Sequence, residues 1–253
     1  MNKIFIILCI IILSPPLSAQ TKVTIYGDDS YPPYSFLDSD RLTGIYTIVL
    51  ERIFEQMSEY DVELKGNDWK RSLDQIQRGF IFALYPPYKR LDRPYMEFEM
   101  PILDEELVVY CREEVLEKPR PNWPEDYYGL TIGNNTGFSV GGPKFWKAVK
   151  ANKIKVEETK GTPRSLLRLI NGHVDCYMND AISIQWELNK LMKEGRYDGR
   201  NVKESAIISQ EHGYLGFSTS GARYPFKNDF KKEIDFVFPI GSYHCVVKIL
   251  SSF

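Results

Sequence analysis

Segments with the period of a strand and segments with the period of a helix alternate along most of the chain, and no other feature narrows its fold as much. Residues 23–26 read as a strand. Residues 44–57 read as a helix, because Ile45, Ile48, Val49, Ile53 and Phe54 recur at helical spacing. Residues 62–64 form a short strand, and residues 69–77 a helix with Leu73 and Ile76 on one face and Gly79 as its stop. Residues 80–85 are apolar throughout, as expected of a strand covered on both faces, and 107–111 form another. After a proline-rich connection at 119–124 a second series begins. It runs strand 130–133, helix 145–151, strand 154–156, helix 165–170, strand 174–178 and helix 181–192. Residues 207–208 and 214–217 read as strands, and 226–234 as the start of a closing helix. Such alternation implies mostly parallel sheet flanked by helices, whose ligands bind at the carboxyl ends of the strands. The loops to search are therefore 28–38, 85–93, 134–142 and 179–180.

The chain opens with Met1-Asn2-Lys3 and an unbroken apolar run from Ile4 to Leu13, then Ser14-Pro15-Pro16 and the small residues around Ala19. That order is the one of a secretory signal peptide, expected over residues 1–20, and the run of roughly 10 is short of the ~20 residues that span a bilayer. About 230 residues follow, enough for one large domain or two small ones. A net charge of −2 lacks the basic footprint of a nucleic-acid binder, so no nucleic-acid partner is expected. Cys111, Cys176 and Cys245 follow the leader; an odd number allows at most one bridge, and they are expected to serve mostly as small buried hydrophobes.

Catalytic patterns are thin. His173, His212 and His244 have no partner at metal-ligand spacing, and there is no Gly-x-Ser-x-Gly elbow and no phosphate-loop or dinucleotide pattern. No metal, cofactor or catalytic set is expected. The acid pairs Asp28-Asp29 and Glu105-Glu106 read as loop or solvated edge. In the loop Tyr85-Pro86-Pro87-Tyr88, followed by Lys89, Arg90 and Arg93, an arginine offers a planar fork for a carboxylate; a solvated basic turn reads as well. Asp180 starts a helix, as a plain N-cap does, or faces a cleft and takes an ammonium; local sequence does not separate the two. Residues 134–139, with Gly137, Phe138 and Ser139, suit either an anion at a helix start or a polar turn.

In order, these pieces resemble the bacterial periplasmic solute-binding proteins of the polar amino acid type (family 3), over roughly residues 23–234. The first strand and its loop, through Tyr31-Pro32-Pro33-Tyr34-Ser35-Phe36, are similar to the family's opening with its aromatic-Pro-aromatic turn. Gly44 leads a first helix as the family's does. Arg93 followed by Phe98-Glu99-Met100-Pro101 is similar to the family's Arg…Phe-Ser-x-Pro segment, Gly133 and Gly137 to its second-lobe glycines, and residues 172–180 to its Gly-x-x-Asp-x-x-x-x-Asp segment. The departures are Ile48 where the family has an acid, Phe138 where it has a threonine (leaving Ser139 as the nearest hydroxyl), a spacing from Arg93 to Phe98 one residue short, and an end beyond Ile234 that leaves the family pattern for an apolar tail.

The resemblance implies an α/β two-lobed periplasmic binding protein fold (type II), each lobe a mixed, mostly parallel sheet flanked by helices, joined by crossing hinge strands. Lobe one would comprise residues 21–111 and 208–253, and lobe two residues 112–207. Arg93 would take a ligand's carboxylate and Asp180 its ammonium; Tyr31, Tyr85 and Tyr88 would enclose it, and Trp69 would border the cleft. The implied function is capture of an amino acid or a derivative by hinge closure, in a monomer of the periplasm, for delivery to a membrane permease of the ABC type. A sensory module for a membrane partner is the alternative, and a dehydratase-like enzyme on the same scaffold a remoter one.

Overall fold

The computed structural model describes residues 19–238. The leader expected over residues 1–20 lies outside them except for its last two residues, as do Cys245 and the apolar tail from residue 239 on. The first series comprises β1 (Thr21–Asp28), β2 (Ser30–Tyr31), β3 (Ser35–Asp38), β4 (Arg41–Thr43), α1 (Ile45–Phe54), β5 (Tyr60–Asn67), α2 (Trp69–Gln77) and β6 (Ala83–Tyr85). A long β7 (Met96–Arg112) leads into β8 (Thr131–Asn135), α3 (Gly142–Lys150), β9 (Lys155–Thr159), α4 (Thr162–Ile170), β10 (Cys176–Asp180) and α5 (Ala181–Lys193). A long β11 (Val202–Ser218) and α6 (Lys227–Val237) complete it.

The main sheet has the order β5-β1-β6-β11-β7-β10-β8-β9, and β2, β3 and β4 form a small separate sheet. At one end β1 pairs in parallel with β5 and β6; at the other β8 pairs in parallel with β9 and β10. Between the two ends, β7 and β11 run antiparallel to each other for most of their length. The first strand of each parallel triplet sits in its middle, so the chain leaves β1 and β8 at points where the strand order reverses. Those two strand ends are the places in each lobe where loops diverge and leave a crevice.

Each end of the sheet has its own core. Ile25, Leu50, Phe82, Phe217 and Phe230 belong to a cluster on the first lobe. In the second lobe the faces separate along β10, where Cys176 and Met178 join Ile132 and Phe145 while Tyr177 joins Leu166 and Leu188. Successive strand residues point to opposite faces, which is why one strand feeds both clusters. The chain is thus α/β with the two-lobed periplasmic binding protein fold.

The two strand readings at 207–208 and 214–217 are one strand, and the strand read at 107–111 begins at Met96. Pro101, Asp104-Glu105-Glu106 and Gly213 interrupt the apolar pattern in the middle of both. These residues lie where the strands leave one core and enter the other, so no face there needs a continuous apolar run. Four register shifts along the pair, two of them next to Ile207 and Gly213, add local bend and twist.

The cysteine reading needs correction. Cys111 and Cys176 face each other directly across β7 and β10 and form a disulfide closing a separation of 65 residues. Sequence spacing could not show this pairing, because the strands meet only through the tertiary fold. Replacing both with alanine is expected to cost about 2–4 kcal/mol of unfolding free energy, read as a lower urea midpoint; the wild-type chain unfolded in reductant should shift similarly.

Candidate functional site

Asp28 ends β1 and turns the chain, its Oδ1 accepting the Ser30 backbone N–H at 2.9 Å. The loop beyond sets Tyr31 and Tyr34 with ring centroids 5.1 Å apart. Gly44 then starts α1 at φ 111°, where a Cβ would stand 2.5 Å from the Tyr34 carbonyl. Only glycine fits that close approach, which brings Tyr46 of α1 beneath the loop.

Glu105, at the middle of β7, collects these aromatic groups. Its carboxylate accepts hydrogen bonds from the hydroxyls of Tyr31 and Tyr46, and from Tyr88 at 2.6 Å. Opposite it, a Cβ on Gly213 would stand 1.8 Å from the Tyr46 hydroxyl oxygen, so the cluster exists because that position has no side chain. Burial, with the nearby charge of Asp180, pushes the Glu105 carboxyl up to about 8 against the pull of the three hydroxyls. Asp180 caps α5, its Oδ1 accepting from Ser183 N at 2.9 Å, and burial raises it to about 6.

Of the acid pairs read as loop or solvated edge, Asp28-Asp29 does lie where β1 enters a loop, whereas Glu105-Glu106 lies inside β7, and neither pair is fully solvated. One member of each is buried, with Asp28 4% and Glu105 2% exposed: Asp28 is the last residue of β1 and Asp29 already lies in the bend after it, whereas Glu105 and Glu106 are neighbours along β7 and face opposite ways. Burial pushes the Asp28 carboxyl up to about 8 as well. The signal available in the sequence was position: Asp28 follows the strand pattern of 23–26, and Glu105 sits six residues ahead of Cys111 on β7, which starts at Met96.

Arg93 is 6% exposed, and among the described residues no carboxylate lies within ion-pair distance of it. Its Nη2 reaches the Gly137 carbonyl at 3.4 Å and Ser139 Oγ at 3.5 Å, both at the outer edge of hydrogen-bond geometry, and its guanidinium lies 6.0 Å from the Trp69 ring. Burial pulls its pKa down from the ordinary value, yet a guanidinium stays charged. A cavity of about 20 Å³ opens beside it, lined by Asp28, Tyr31, Trp69, Pro86, Tyr88, Arg93, Phe138 and Ser139.

The structure therefore gathers Arg93, Tyr31, Trp69, Tyr88, Phe138 and Ser139 around one space, with Gly137 presenting its carbonyl to Arg93. It does not bring Tyr85 or Asp180 there. The Tyr85 hydroxyl lies 3.0 Å from that of Thr47 within lobe one, and Asp180 is fully buried. Asp28, which the sequence reading passed over, takes the acid's place in the lining.

The lobes touch across this space. Ser183 Oγ donates to the Pro32 carbonyl at 2.6 Å, and Arg90 Nε to the Ser139 carbonyl at 3.2 Å. Lys160 of the second lobe reaches Asp29 at 3.3 Å and Asp68 at 3.2 Å.

No family profile matches the chain, and no curated protein matches its sequence. Solved structures share its fold. A histidine kinase sensor domain with similarity to periplasmic binding proteins superposes with a TM-score of 0.73 at 16% identity, covering 90% of this chain and 95% of that one. An ancestral arginine-binding protein bound to arginine gives 0.71 at 17%, covering 90% and 96%. The BvgS VFT2 domain of Bordetella pertussis, as a double mutant, gives 0.67 at 15%, covering 91% and 92%. No helix among the described residues is long and apolar enough to cross a membrane.

Glu105 and Asp28 hold protons in the folded chain at pH values where the unfolded chain has lost them. The folded state then binds more protons than the unfolded one, so stability falls as pH rises from about 5 to about 8. Calorimetric melting across that window should show a declining Tm, and Glu105→Gln should flatten the decline.

Proposed function

We propose that this chain is a periplasmic binding protein that closes its two lobes on a small carboxylate-bearing solute of the amino-acid kind, with Arg93 holding the carboxylate. One observation carries this reading. Arg93 is buried against a cavity, and its own chain offers it only weak carbonyl and hydroxyl contacts. A buried charge without a partner costs several kcal/mol, and a ligand carboxylate would repay that with two parallel hydrogen bonds. Proteins of the same fold include one bound to arginine and one bound to glutamine, which supports an amino-acid ligand.

In this reading the ammonium of such a solute meets Asp28 rather than Asp180. Asp28 shares the cavity with Arg93, whereas Asp180 is fully buried near Tyr34 and outside the lining. An arriving ammonium would favour the charged carboxylate and drive off the Asp28 proton. The solute is bound and released unchanged. Capture serves delivery to a membrane permease; a sensory module for a membrane partner is the second reading, favoured by the likeness to a kinase sensor domain. The leader read at residues 1–20 supports action in the periplasm.

A thermal-shift screen of amino acids and small organic acids identifies the ligand, since one that binds only the folded state raises Tm by mass action. Arg93→Ala is then expected to weaken it by about 2–5 kcal/mol, roughly thirtyfold or more in a calorimetric titration. Near-native affinity in that variant would remove Arg93 from the site. At pH 7 an amino acid should release a proton on binding, seen as an enthalpy that varies with the buffer's ionisation heat, whereas its analogue lacking the amino group should not. Recovery of the ligand unchanged, followed by NMR, checks binding against turnover.

A further inference from the structure

The side chain that stands in the middle of the cleft is Phe138. It lies on the β8–α3 turn, which is tightly built: the Phe138 backbone N–H donates to the Asn135 carbonyl at 2.9 Å, and the Asn134 side-chain amide donates to the Phe138 carbonyl at 2.8 Å. Gly137 takes φ 83° there, with space for a Cβ closed by Trp69 at 3.3 Å. The ring meets Tyr31 edge-on at 5.3 Å and Trp69 at 6.1 Å, both from the opposite lobe. Phe138 packs against the main core clusters of both lobes and against the smaller cluster around Trp69.

Two cavities flank this ring. The one beside Arg93 measures about 20 Å³, and a second, of about 10 Å³, is lined by Asp28, Ser30, Asp68, Trp69, Lys160 and their neighbours. Asp28, Trp69 and Phe138 line both, and of these three Phe138 alone comes from lobe two. Each space has room for only a water or two. The volume that a ligand's side chain would need is filled by the protein.

We propose that Phe138 is an internal occupant of the cleft: its ring takes the ligand's side-chain space, clasps the lobes together, and limits the wild-type cleft to the smallest carboxylates, of the size of acetate. This rests on the Arg93 reading only for where the carboxylate goes. A ring-sized body and the Phe138 ring exclude each other. Removing the ring joins the two cavities into one aromatic-walled slot next to Arg93, sized for a benzyl group.

The test titrates acetate and phenylacetate into the mature chain by calorimetry, for wild type, Phe138→Ala and Phe138→Ala with Arg93→Ala, and measures small-angle scattering without either probe. Wild type should prefer acetate, and Phe138→Ala should reverse the order, binding phenylacetate on the order of tenfold or more tighter than acetate. Its radius of gyration should exceed that of wild type, as expected when the clasp is lost. Phenylacetate binding equally to both proteins overturns the proposal, and so does an unchanged order of preference. If neither probe binds, scattering decides: an unchanged radius overturns it and a larger one supports it. A phenylacetate gain that survives Arg93→Ala supports the occupant and overturns the carboxylate reading; a gain that vanishes supports both. Should Phe138→Ala not fold, Phe138→Leu keeps most of the packing and is expected to show the same changes in smaller degree.

Discussion

One buried carboxylate organises the cleft. Glu105 stands at the middle of a 17-residue strand where that strand passes from one lobe to the other. It draws hydroxyls from Tyr31 on the loop after β1, Tyr46 on α1 and Tyr88 on the loop after β6. Backbone hydrogen bonds such as Tyr46 N–H to the Tyr34 carbonyl tie the loop to α1, but the orientation of the three side chains rests on this shared acceptor, since apolar packing fixes distance better than orientation. Hydrogen bonds to a charged or proton-sharing acceptor in a low-dielectric interior are directional and strong. The walls of the cleft take their angle from this cluster, and Gly213 makes room for it.

The charges around the cleft are unevenly committed. Lys160 occupies Asp29 and Asp68, Arg90 pairs with Glu211 at 2.9 Å, and one oxygen of Asp180 caps the start of α5. Asp28 and Glu105 are pushed by burial toward their neutral forms. Arg93 is left as the cation whose own chain gives it little. An anion is the chemistry that such a site favours, and the surrounding rings of Tyr31, Trp69 and Phe138 leave little room for water, which strengthens any charge pairing made inside.

Much of this was legible in the sequence because local periodicity survives folding. The α2 reading at 69–77 matches its helix residue for residue, since a polar N-cap at Asp68 and a glycine after the last turn mark both ends. Arg93, Trp69 and Phe138 line one cavity, because loops at strand ends converge wherever the strand order reverses. The long strands β7 and β11 were only half visible. They change cores midway, and their polar middles look like loops. Glu105 was hidden for a related reason: burial of one member of its acid pair depends on which face β7 shows, and register is a property of the whole sheet; Asp28 is buried by the loops that converge on the end of β1.

The amino-acid sequence by itself determined the alternating elements, the two parallel series and the loops in which chemistry would be found, because these follow from spacing of apolar residues and from turn-forming glycines and prolines. The tertiary structure alone decided which side chains meet. It joined Cys111 to Cys176, put Asp28 rather than Asp180 in the lining with Arg93, and drove Phe138 of one lobe between Tyr31 and Trp69 of the other. These are contacts between segments distant in the chain, set by how two lobes pack, and no local pattern encodes them.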